Sequence, residues 1–228
     1  MNKELQDEIN PETRLVDYYA RRAPEYERIY HRPERQEDLR KLEQLVAQAF
    51  RNLDVLEIAC GTGYWTQFIA KQARSILATD CNREVIDIAR HKDYTPCTVS
   101  FVESDAYSLT NIEVSRLAGF SGFWWSHIAK AKLHKFINAL HSKLDDRALV
   151  LLIDNRYVEG NSLPISRHDG EGNTYQMRRL ADGSEYEVRK NFPTKTELTE
   201  RLTPYAHDLK IEFLTYYWLA RYRVTSRE

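Results

Sequence analysis

The sequence predicts an α/β fold built on a doubly wound, mainly parallel sheet. Between residues 54 and 154, short apolar runs alternate with segments of helical periodicity, a pattern typical of parallel sheets. The first of these runs ends in a glycine turn, as a buried parallel strand often does. Two aromatic runs near the C-terminus predict an antiparallel hairpin at the edge of the same sheet.

Helices are expected both before and within the sheet. Residues 13–31 look helical but contain Pro24, which favours two short helices, and residues 34–50 predict one amphipathic helix. Strands are expected, in chain order, at 54–59, 75–80, 98–102, 120–125, 148–154, 209–213 and 216–224. The intervening helices are expected at 64–74, 83–91 and 129–143. The prediction is therefore a seven-stranded sheet that ends in an antiparallel hairpin.

A long insertion interrupts the alternation after Asp154. Residues 155–206 are too many for a simple crossover, and Asp182-Gly183 separates runs 174–180 and 185–190, a strong hairpin signal. A helix at 194–202 follows. We expect one domain, with an N-terminal helical cap at 1–50, a core at 51–154, a β-hairpin lid insertion at 155–206 and the terminal hairpin at 207–228.

Composition argues against several classes of protein. The chain of 228 residues is 42% hydrophobic and 29% charged, so it can bury a core and is unlike a disordered protein. Its 33 basic and 34 acidic residues nearly cancel, which argues against nucleic acid because phosphate-neutralising proteins usually carry a basic excess. Three cysteines without metal-ligand spacing predict free thiols, a reducing compartment and no metal site.

The same survey argues against a membrane. The longest aliphatic run, residues 148–153, is too short to cross a bilayer. Residues 1–8 lack the apolar core of a signal peptide. We therefore expect a cytoplasmic protein.

The glycine turn predicts a ligand site. The run Glu57-Ile-Ala-Cys-Gly-Thr-Gly63 ends a strand and opens a helix, where glycines let backbone N–H groups approach a ligand. Asp80 follows Gly63 by about 17 positions, close to the separation of an acid that binds ribose hydroxyls. Asp105, which ends the third strand, is placed to accept from an adenine amino group. A structural turn with solvated acids is the alternative, and a nicotinamide cofactor fits the turn almost as well.

The run Val55-Leu-Glu-Ile-Ala-Cys-Gly-Thr-Gly-Tyr-Trp-Thr66 resembles motif I of the class I S-adenosylmethionine-dependent methyltransferases of small-molecule type. The family pattern is Glu/Asp-x-Gly-x-Gly-x-Gly, and this chain carries Ala59 at the first glycine. The resemblance extends from about residue 15 to the end. The expected terminal hairpin also matches the family's Rossmann-like sheet and is generally lacking in nicotinamide-binding relatives.

The resemblance implies S-adenosyl-L-methionine as cofactor, bound by the core at 51–154. It implies that Asp80 binds the ribose and that Glu57 lies near the methionyl amine. The other implied cofactor contacts belong to the glycine turn and to the second and third strand ends: Ala59, Cys60, Gly61, Gly63, Cys81, Asn82, Asp105 and Ala106.

The N-terminal segment 17–26 resembles the cap that many small-molecule methyltransferases fold over the methionine moiety. Tyr19, Arg22 and Tyr26 have the spacing of one helical face. Tyrosine offers an electron-rich face to a sulfonium cation, and Arg22 is suited to the methionyl carboxylate. The alternative is that these side chains simply pack a helix against the sheet.

Residues 122–127 follow the fourth strand, a position that borders both cofactor and acceptor in the family. We expect Trp124 in the core or against adenine, and Trp125 and Ser126 in the acceptor site. His127 has the chemistry of a general base near neutral pH, but a helix cap or a hydrogen-bonded structural histidine is the alternative. Methyl transfer often needs little acid–base help, because alignment of the reacting atoms supplies much of the acceleration.

The hairpin insertion is the candidate acceptor lid, since loops at the ligand end of a sheet commonly carry specificity. Asn155, Tyr157 and Arg178 are candidate acceptor contacts. Positive charge on the hairpin, from Arg178, Arg179, Arg189 and Lys190, favours an anionic acceptor such as a carboxylate or phosphate, although a solvated strand face explains it equally well. Alternatively, the hairpin's apolar residues Tyr175, Met177, Tyr186 and Val188 form a dimer surface, so a monomer and a homodimer both stay open.

The leading hypothesis is methyl transfer to an oxygen or nitrogen atom of a small molecule. Methylation of a macromolecule, RNA or protein, is an alternative, although residues 122–127 lack the Asn/Asp-Pro-Pro-aromatic signature of nucleic-acid amino methylases. A non-catalytic cofactor-binding regulator is a further alternative.

Overall fold

The structure, a computed structural model, describes residues 11–113 and 115–225. Its strands are β1 (Asp54–Ile58), β2 (Ser75–Asp80), β3 (Thr98–Glu103), β4 (Arg116–Gly122), β5 (Leu144–Asn155), β6 (Arg167–His168), β7 (Thr174–Arg179), β8 (Glu185–Arg189), β9 (Ala206–Phe213) and β10 (Tyr217–Val224). Its α-helices are α1 (Pro11–Arg22), α2 (Gln36–Ala49), α3 (Tyr64–Ala70), α4 (Arg83–Arg90), α5 (Leu133–His141) and α6 (Lys195–Leu202). A 3₁₀ helix, Ala23–His31, continues α1 where the sequence places Pro24.

Seven strands form the central sheet in the order β3-β2-β1-β4-β5-β10-β9. β1 to β5 pair in parallel, whereas β10 runs antiparallel to both β5 and β9. The predicted fold class and terminal hairpin are therefore confirmed. Strand order reverses between β1 and β4, and ligands of such sheets bind in the crevice beyond the carboxyl ends of the strands at that point.

Neighbouring residues of the buried strands place their side chains in two hydrophobic cores, one on each face of the sheet. Leu151 packs with α2 and α3 on one face, and Leu152 packs with α5 and α6 on the other. Because side chains alternate along a strand, the nearly continuous apolar run of β5 feeds both layers. This two-sided burial holds the strand ends, and the turns that follow them, in a rigid frame.

The predicted end of the fourth strand is wrong. β4 ends at Gly122 rather than at residue 125, and a 3₁₀ helix, Trp125–His127, follows. Phe123 adopts φ +60° while its N–H still donates to the Ile153 carbonyl at 2.8 Å, so the chain turns out of the sheet within an apolar run. The residue with positive φ is Phe123 and not the neighbouring Gly122, so the sequence does not show at which residue the chain turns.

Other boundaries also differ from the prediction. β5 begins at Leu144, four residues early, and contains Arg147 at φ +60° where the pairing with β4 shifts register. The third helix of the core begins at Leu133 rather than 129, after a 3₁₀ turn, and the first ends at Ala70 rather than 74. Polar residues open β5, and this hid its early start.

The predicted hairpin at Asp182-Gly183 is confirmed, with Gly183 at φ +86°. The two-residue strand β6 adds a third strand, which is too short to leave a sequence signal. α1 packs on this small sheet through Leu15 and Val188. Since Tyr175 and Val188 are buried within the chain, they offer no dimer surface, and that alternative is wrong for these two residues.

Residues 1–10 of the expected cap, including the stretch searched for a signal peptide, and residues 226–228 of the terminal hairpin lie outside the described residues. Within residues 11–113 and 115–225, the helices are all too short or too polar to cross a bilayer.

Candidate active site

Two cavities lie side by side at the carboxyl edge of the sheet. The first, of about 480 Å³, is named the strand-end cavity because turns after β1, β2, β3 and β4 line it beneath α1. The second, of about 330 Å³, is named the basic cavity and lies between the 3₁₀ helix Ala23–His31, the end of β5 and the hairpin. Its cationic lining residues are Arg22, Arg28, Arg32, Arg35, Arg156, Arg178 and Lys190.

One wall separates the two cavities. Tyr19, Tyr26, Phe123 and His127 line both of them. Tyr19 and Tyr26 contact each other edge to face, with ring centroids 5.8 Å apart. Ligands bound in the two cavities would therefore meet at this wall, which is named the shared wall below.

Asp80 organises the floor of the strand-end cavity. Its Oδ2 accepts from the Gly61 N–H and its Oδ1 from the Asn82 N–H, both at 2.9 Å. Burial raises the pKa of this carboxyl, and the two backbone hydrogen bonds oppose that rise. A carboxylate has about four lone-pair sites, so Asp80 keeps acceptor capacity for ligand hydroxyls.

The glycine turn gives the cavity an open backbone. Ala59 and Gly61 have φ of +58° and +55°, and both line the cavity. A Cβ added to Gly61 would meet only Tyr26, at 4.0 Å. The left-handed conformation at Ala59, where the family pattern has glycine, shows that this turn accepts an alanine.

Three predicted cofactor contacts lie beneath this turn instead of in the cavity wall. Gly63 packs against α4, where a Cβ would lie 2.3 Å from the Tyr94 hydroxyl. The Cys60 side chain is buried. Glu57 is 1% exposed and accepts from Thr66 Oγ1 at 2.7 Å, and burial raises its pKa to about 8. These side chains therefore support the turn from below, and direct contact of these residues with the cofactor stays a prediction.

The remaining predicted contacts at the strand ends do reach the cavity. Asn82 also ties α1 to this edge, because its Nδ2 donates to the Val16 carbonyl at 3.0 Å. Trp124 packs near Tyr107, and its indole N–H is buried without a partner among the described residues. The residues of this group that line the strand-end cavity are Cys81, Asn82, Asp105, Ala106 and Trp124. Acids, open backbone and aromatic rings together suit an adenosyl group.

The N-terminal segment roofs both cavities as predicted, but its arginine lies on the other side. Arg22 lines only the basic cavity, donates to the Tyr18 hydroxyl at 2.7 Å and lies over the Tyr26 ring at 5.3 Å. The contact of Arg22 with the methionyl carboxylate stays a prediction. Burial raises the pKa of Tyr26 to about 12, so this phenol of the shared wall stays neutral.

His127 connects the roof to the hairpin. Its Nε2 lies 2.7 Å from the Tyr19 hydroxyl, and its Nδ1 lies 2.7 Å from the Arg189 carbonyl oxygen. Burial first, and then the positive charge of Lys190, hold its pKa well below the ordinary value. The imidazole is consequently neutral at physiological pH.

Three arginines of the basic cavity lack a carboxylate counterion among the described residues. None of its described lining residues is an Asp or Glu. Within the described chain, Arg22, Arg35 and Arg178 form no ion pair with a carboxylate. Arg178 donates to Gln176 Oε1 at 2.7 Å, and burial lowers its pKa. Buried charges are ordinarily paired, so these three guanidinium groups are exceptions among the described residues.

Lys190 is the most deeply buried of these cations, at 5% exposure. Its Nζ contacts Ser126 Oγ at 2.6 Å and Asp154 Oδ1 at 3.3 Å. Burial lowers its pKa to about 8, against the opposing effect of Asp154. Ser126 also donates its backbone N–H to Asp154 at 2.8 Å, so a compact polar network underlies the cavity.

Two predicted acceptor contacts are wrong and a third lies aside. Ser126 is buried in the Lys190 network, and Trp125 packs in the core against Trp218, with ring centroids 5.9 Å apart. Neither lines the basic cavity. Tyr157 is 40% exposed and contacts Phe192 beside the cavity. Asn155 and Arg178 do line it.

Sequence reasoning missed Arg35. Its guanidinium donates to Asn155 Oδ1 at 3.1 Å and to Asn161 Oδ1 at 2.9 Å, and lies over the Tyr216 ring at 5.3 Å. The available signal was the series Arg28, Arg32 and Arg35, whose spacing of four and three residues brings the side chains to one side. Only the tertiary fold shows that this side faces the hairpin.

Known proteins match this arrangement. A family model described as a methyltransferase domain matches residues 55–146. The structure of DhpI with S-adenosylhomocysteine is 26% identical, with a TM-score of 0.75, and the match covers 94% of this chain and 97% of that one. The complex of DhpI with S-adenosylmethionine and HEP is 24% identical, with coverages of 92% and 95% and a TM-score of 0.75.

More distant similarity shows the fold alone. PH0226 from Pyrococcus horikoshii OT3 is 18% identical, with coverages of 88% and 99% and a TM-score of 0.68. No curated protein sequence matches the chain. The sheet order, the glycine turn with Asp80 beside it and these matches lead to one assignment. The chain carries a methyltransferase domain on the fold of class I S-adenosylmethionine-dependent methyltransferases, and it is an enzyme with S-adenosylmethionine as its cofactor.

Proposed function

We propose that the enzyme methylates an oxygen or nitrogen atom of a small anionic molecule held in the basic cavity. The observation that carries the proposal is the shared wall: Tyr19, Tyr26, Phe123 and His127 border both cavities. A methyl donor in the strand-end cavity and an acceptor in the basic cavity meet only there. We therefore place the transfer at this wall.

The residues of the strand-end cavity hold the cofactor in this proposal. S-adenosylmethionine, when bound, supplies an electrophilic methyl group on a cationic sulfur. Asp80 accepts from the ribose hydroxyls, Asp105 accepts from the adenine amino group, and the open backbone at Gly61 lets the nucleoside approach. Tyr19 and Tyr26 present aromatic faces to the cationic end, a contact that aromatic rings favour.

The basic cavity selects the charge of the acceptor. Arg22 and Arg178 each make one side-chain hydrogen bond among those described, although a guanidinium has five donors in a planar fork. Such a fork binds carboxylate or phosphate oxygens in pairs. A cavity of about 330 Å³ also suits a small ligand, which supports a small molecule over RNA or protein.

The same charges favour an oxygen as the methyl acceptor. A protonated amine would enter a cavity of its own charge, whereas neighbouring cations keep an acidic oxygen ionised. An ionised oxygen is already a nucleophile and needs no general base. The side chains then contribute alignment and the exclusion of water, which supply much of the acceleration in such reactions.

Turnover assays test this proposal. Purified enzyme with S-adenosylmethionine is screened against carboxylates, phosphate esters and amines, and S-adenosylhomocysteine release is measured. We expect release with an anionic compound. For that compound Arg178→Gln raises KM roughly 10- to 100-fold, the value of a charge-assisted hydrogen bond. Arg179→Gln, next along β7 on the exposed side, leaves KM unchanged. Turnover of amines alone, with Arg178→Gln unaffected, contradicts the proposal.

A further inference from the structure

We infer that His127 is a positioning residue and not a proton acceptor. Its Nε2 accepts the hydrogen of the Tyr19 hydroxyl. The lone pairs of the Tyr19 oxygen are then left to face a ligand bound at the shared wall. The inference rests on the proposed place of methyl transfer, but it is independent of which acceptor is used. It replaces the expectation that His127 acts as a general base.

The hydrogen bonds of His127 define its tautomer. A carbonyl oxygen only accepts, so the 2.7 Å contact with the Arg189 oxygen requires a proton on Nδ1. In a neutral imidazole, Nε2 then accepts. The Tyr19 hydroxyl, 2.7 Å from Nε2, must therefore donate. The only basic lone pair of the ring is occupied.

The surroundings disfavour a second proton on this ring. From the hairpin, the cations Lys190 and Arg178 act on it, and Arg189 donates from Nη1 to the His127 carbonyl at 3.2 Å. From α1, Arg22 acts on it, and Tyr19 is its neutral partner. The nearby acid Asp154 is committed to Lys190, Ser126 and Asn155. An imidazolium would add one more buried cation to guanidinium groups that already lack counterions.

Tyr19 is also fixed by ring contacts. Its ring meets Tyr18 at 4.9 Å, Tyr26 at 5.8 Å and the His127 ring at 5.3 Å, all edge to face. Because its hydrogen is donated to His127, the phenol oxygen offers only lone pairs elsewhere. Polarised C–H groups beside a cationic sulfur are weak donors to such an oxygen. The hydrogen-bonded pair of Tyr19 and His127 thus favours binding of the methylated cofactor over binding of its demethylated product.

Paired binding measurements test the inference without an acceptor. Calorimetry gives the ratio of dissociation constants for S-adenosylhomocysteine and S-adenosylmethionine. Tyr19→Phe removes the hydroxyl, and His127→Asn keeps a donor for the Arg189 carbonyl but loses the acceptor for Tyr19. We expect both to lower the ratio about two- to fivefold, the value of a C–H···O contact. His127→Gln, whose amide oxygen replaces Nε2 as acceptor, retains the wild-type ratio.

Nitrogen NMR of histidine-labelled wild-type protein supplies a readout that needs no variant. We expect the His127 ring to stay neutral, with the proton on Nδ1, from pH 6 to 8. A ring that titrates in this range, or an unchanged ratio in His127→Asn, overturns the inference. Failure of wild-type protein to bind either ligand is a different result, which contradicts the placement of the cofactor instead.

Discussion

The two cavities are built in opposite ways. The strand-end cavity takes Asp80 from the last position of β2 and Asp105 from the turn after β3. The basic cavity collects cations from distant segments, such as Arg35 before α2, Arg178 on β7 and Lys190 after β8. The acids of the strand-end cavity can therefore be recognised from local sequence patterns. The basic cavity forms only when the N-terminal cap and the hairpin pack together.

The cavities also differ in charge. Acids lie on one side of the shared wall and unpaired guanidinium groups lie on the other. Opposite charge patterns next to each other discriminate between two ligands, because a ligand placed in the wrong cavity meets like charge. We therefore expect that binding of the methyl donor and choice of the acceptor can be altered separately by substitution.

The largest expected effect is a loss of stability on substitution of Lys190, which lines the basic cavity. Lys190→Met leaves Asp154 buried without its cation, and breaking a buried pair costs roughly 3–5 kcal/mol. Asp154 keeps hydrogen bonds from Ser126 and Asn155, so we expect a loss of about 3 kcal/mol in the free energy of unfolding by urea. Adding Asp154→Asn to this variant recovers most of the loss. A loss below about 1 kcal/mol would show that the pair adds little beyond a typical surface ion pair.

The glycine turn offers a matched pair of substitutions. Gly63→Ala places a Cβ 2.3 Å from the Tyr94 hydroxyl at φ +79°, so strain and overpacking together destabilise by about 2–4 kcal/mol. Gly61→Ala at φ +55° meets open space and costs about 1 kcal/mol of strain. Thermal melts measure both. Equal losses would contradict the division between packing at Gly63 and the open cavity at Gly61.

Cofactor affinity sharpens the contrast on the strand-end side. Asp80→Ala removes the acceptor proposed for ribose, and we expect S-adenosylhomocysteine to bind roughly 10- to 100-fold more weakly. Asp80→Asn keeps one carbonyl oxygen, so we expect its affinity for S-adenosylhomocysteine to lie between those of the wild-type protein and Asp80→Ala. Arg178→Gln serves as the control from the other cavity and leaves this affinity within about twofold. Calorimetry compares the three, and a loss in Arg178→Gln equal to that in Asp80→Ala would mean that the cavities are not separable.

When it is counted per pH unit, the smallest expected change in stability comes from the protonation of Glu57. The pKa of Glu57 is about 8 in the folded chain against an ordinary 4.5, so between these values the folded state binds a proton that the unfolded state has released. Stability contributed by the neutral carboxyl is present below pH 4.5 and falls as pH rises to 8, by up to about 1.4 kcal/mol per pH unit. Urea unfolding at pH 5, 6.5 and 8 should show this slope in wild-type protein and lose it in Glu57→Gln. Identical slopes would mean that Glu57 is ionised in the folded state.

The two cavities also differ in how well the sequence predicts their residues. Asp80, Asp105 and Gly61 were predictable because the end of a parallel strand fixes where the next residue lies. Arg35 was not, because its role depends on Asn155 and Asn161, more than a hundred positions away.

The errors at Trp125 and Ser126 have a local cause. The apolar run of β4 continues through Phe123, whose positive φ carries no sequence signal. Placing the strand end three residues late turned both side chains toward the wrong surroundings. The sequence could not show whether Arg178 faces the cavity or the solvent. Side chains alternate between the two faces of a strand, but this alternation does not say which face the cap covers.

A crystal structure with S-adenosylhomocysteine bound would show where the sulfur that carries the methyl group lies. We predict the adenosine between Asp80 and Asp105, with the sulfur at the wall formed by Tyr19, Tyr26, Phe123 and His127 and pointing to the basic cavity. A sulfur that lies away from this wall, or a nucleoside seated among the arginines, would contradict it.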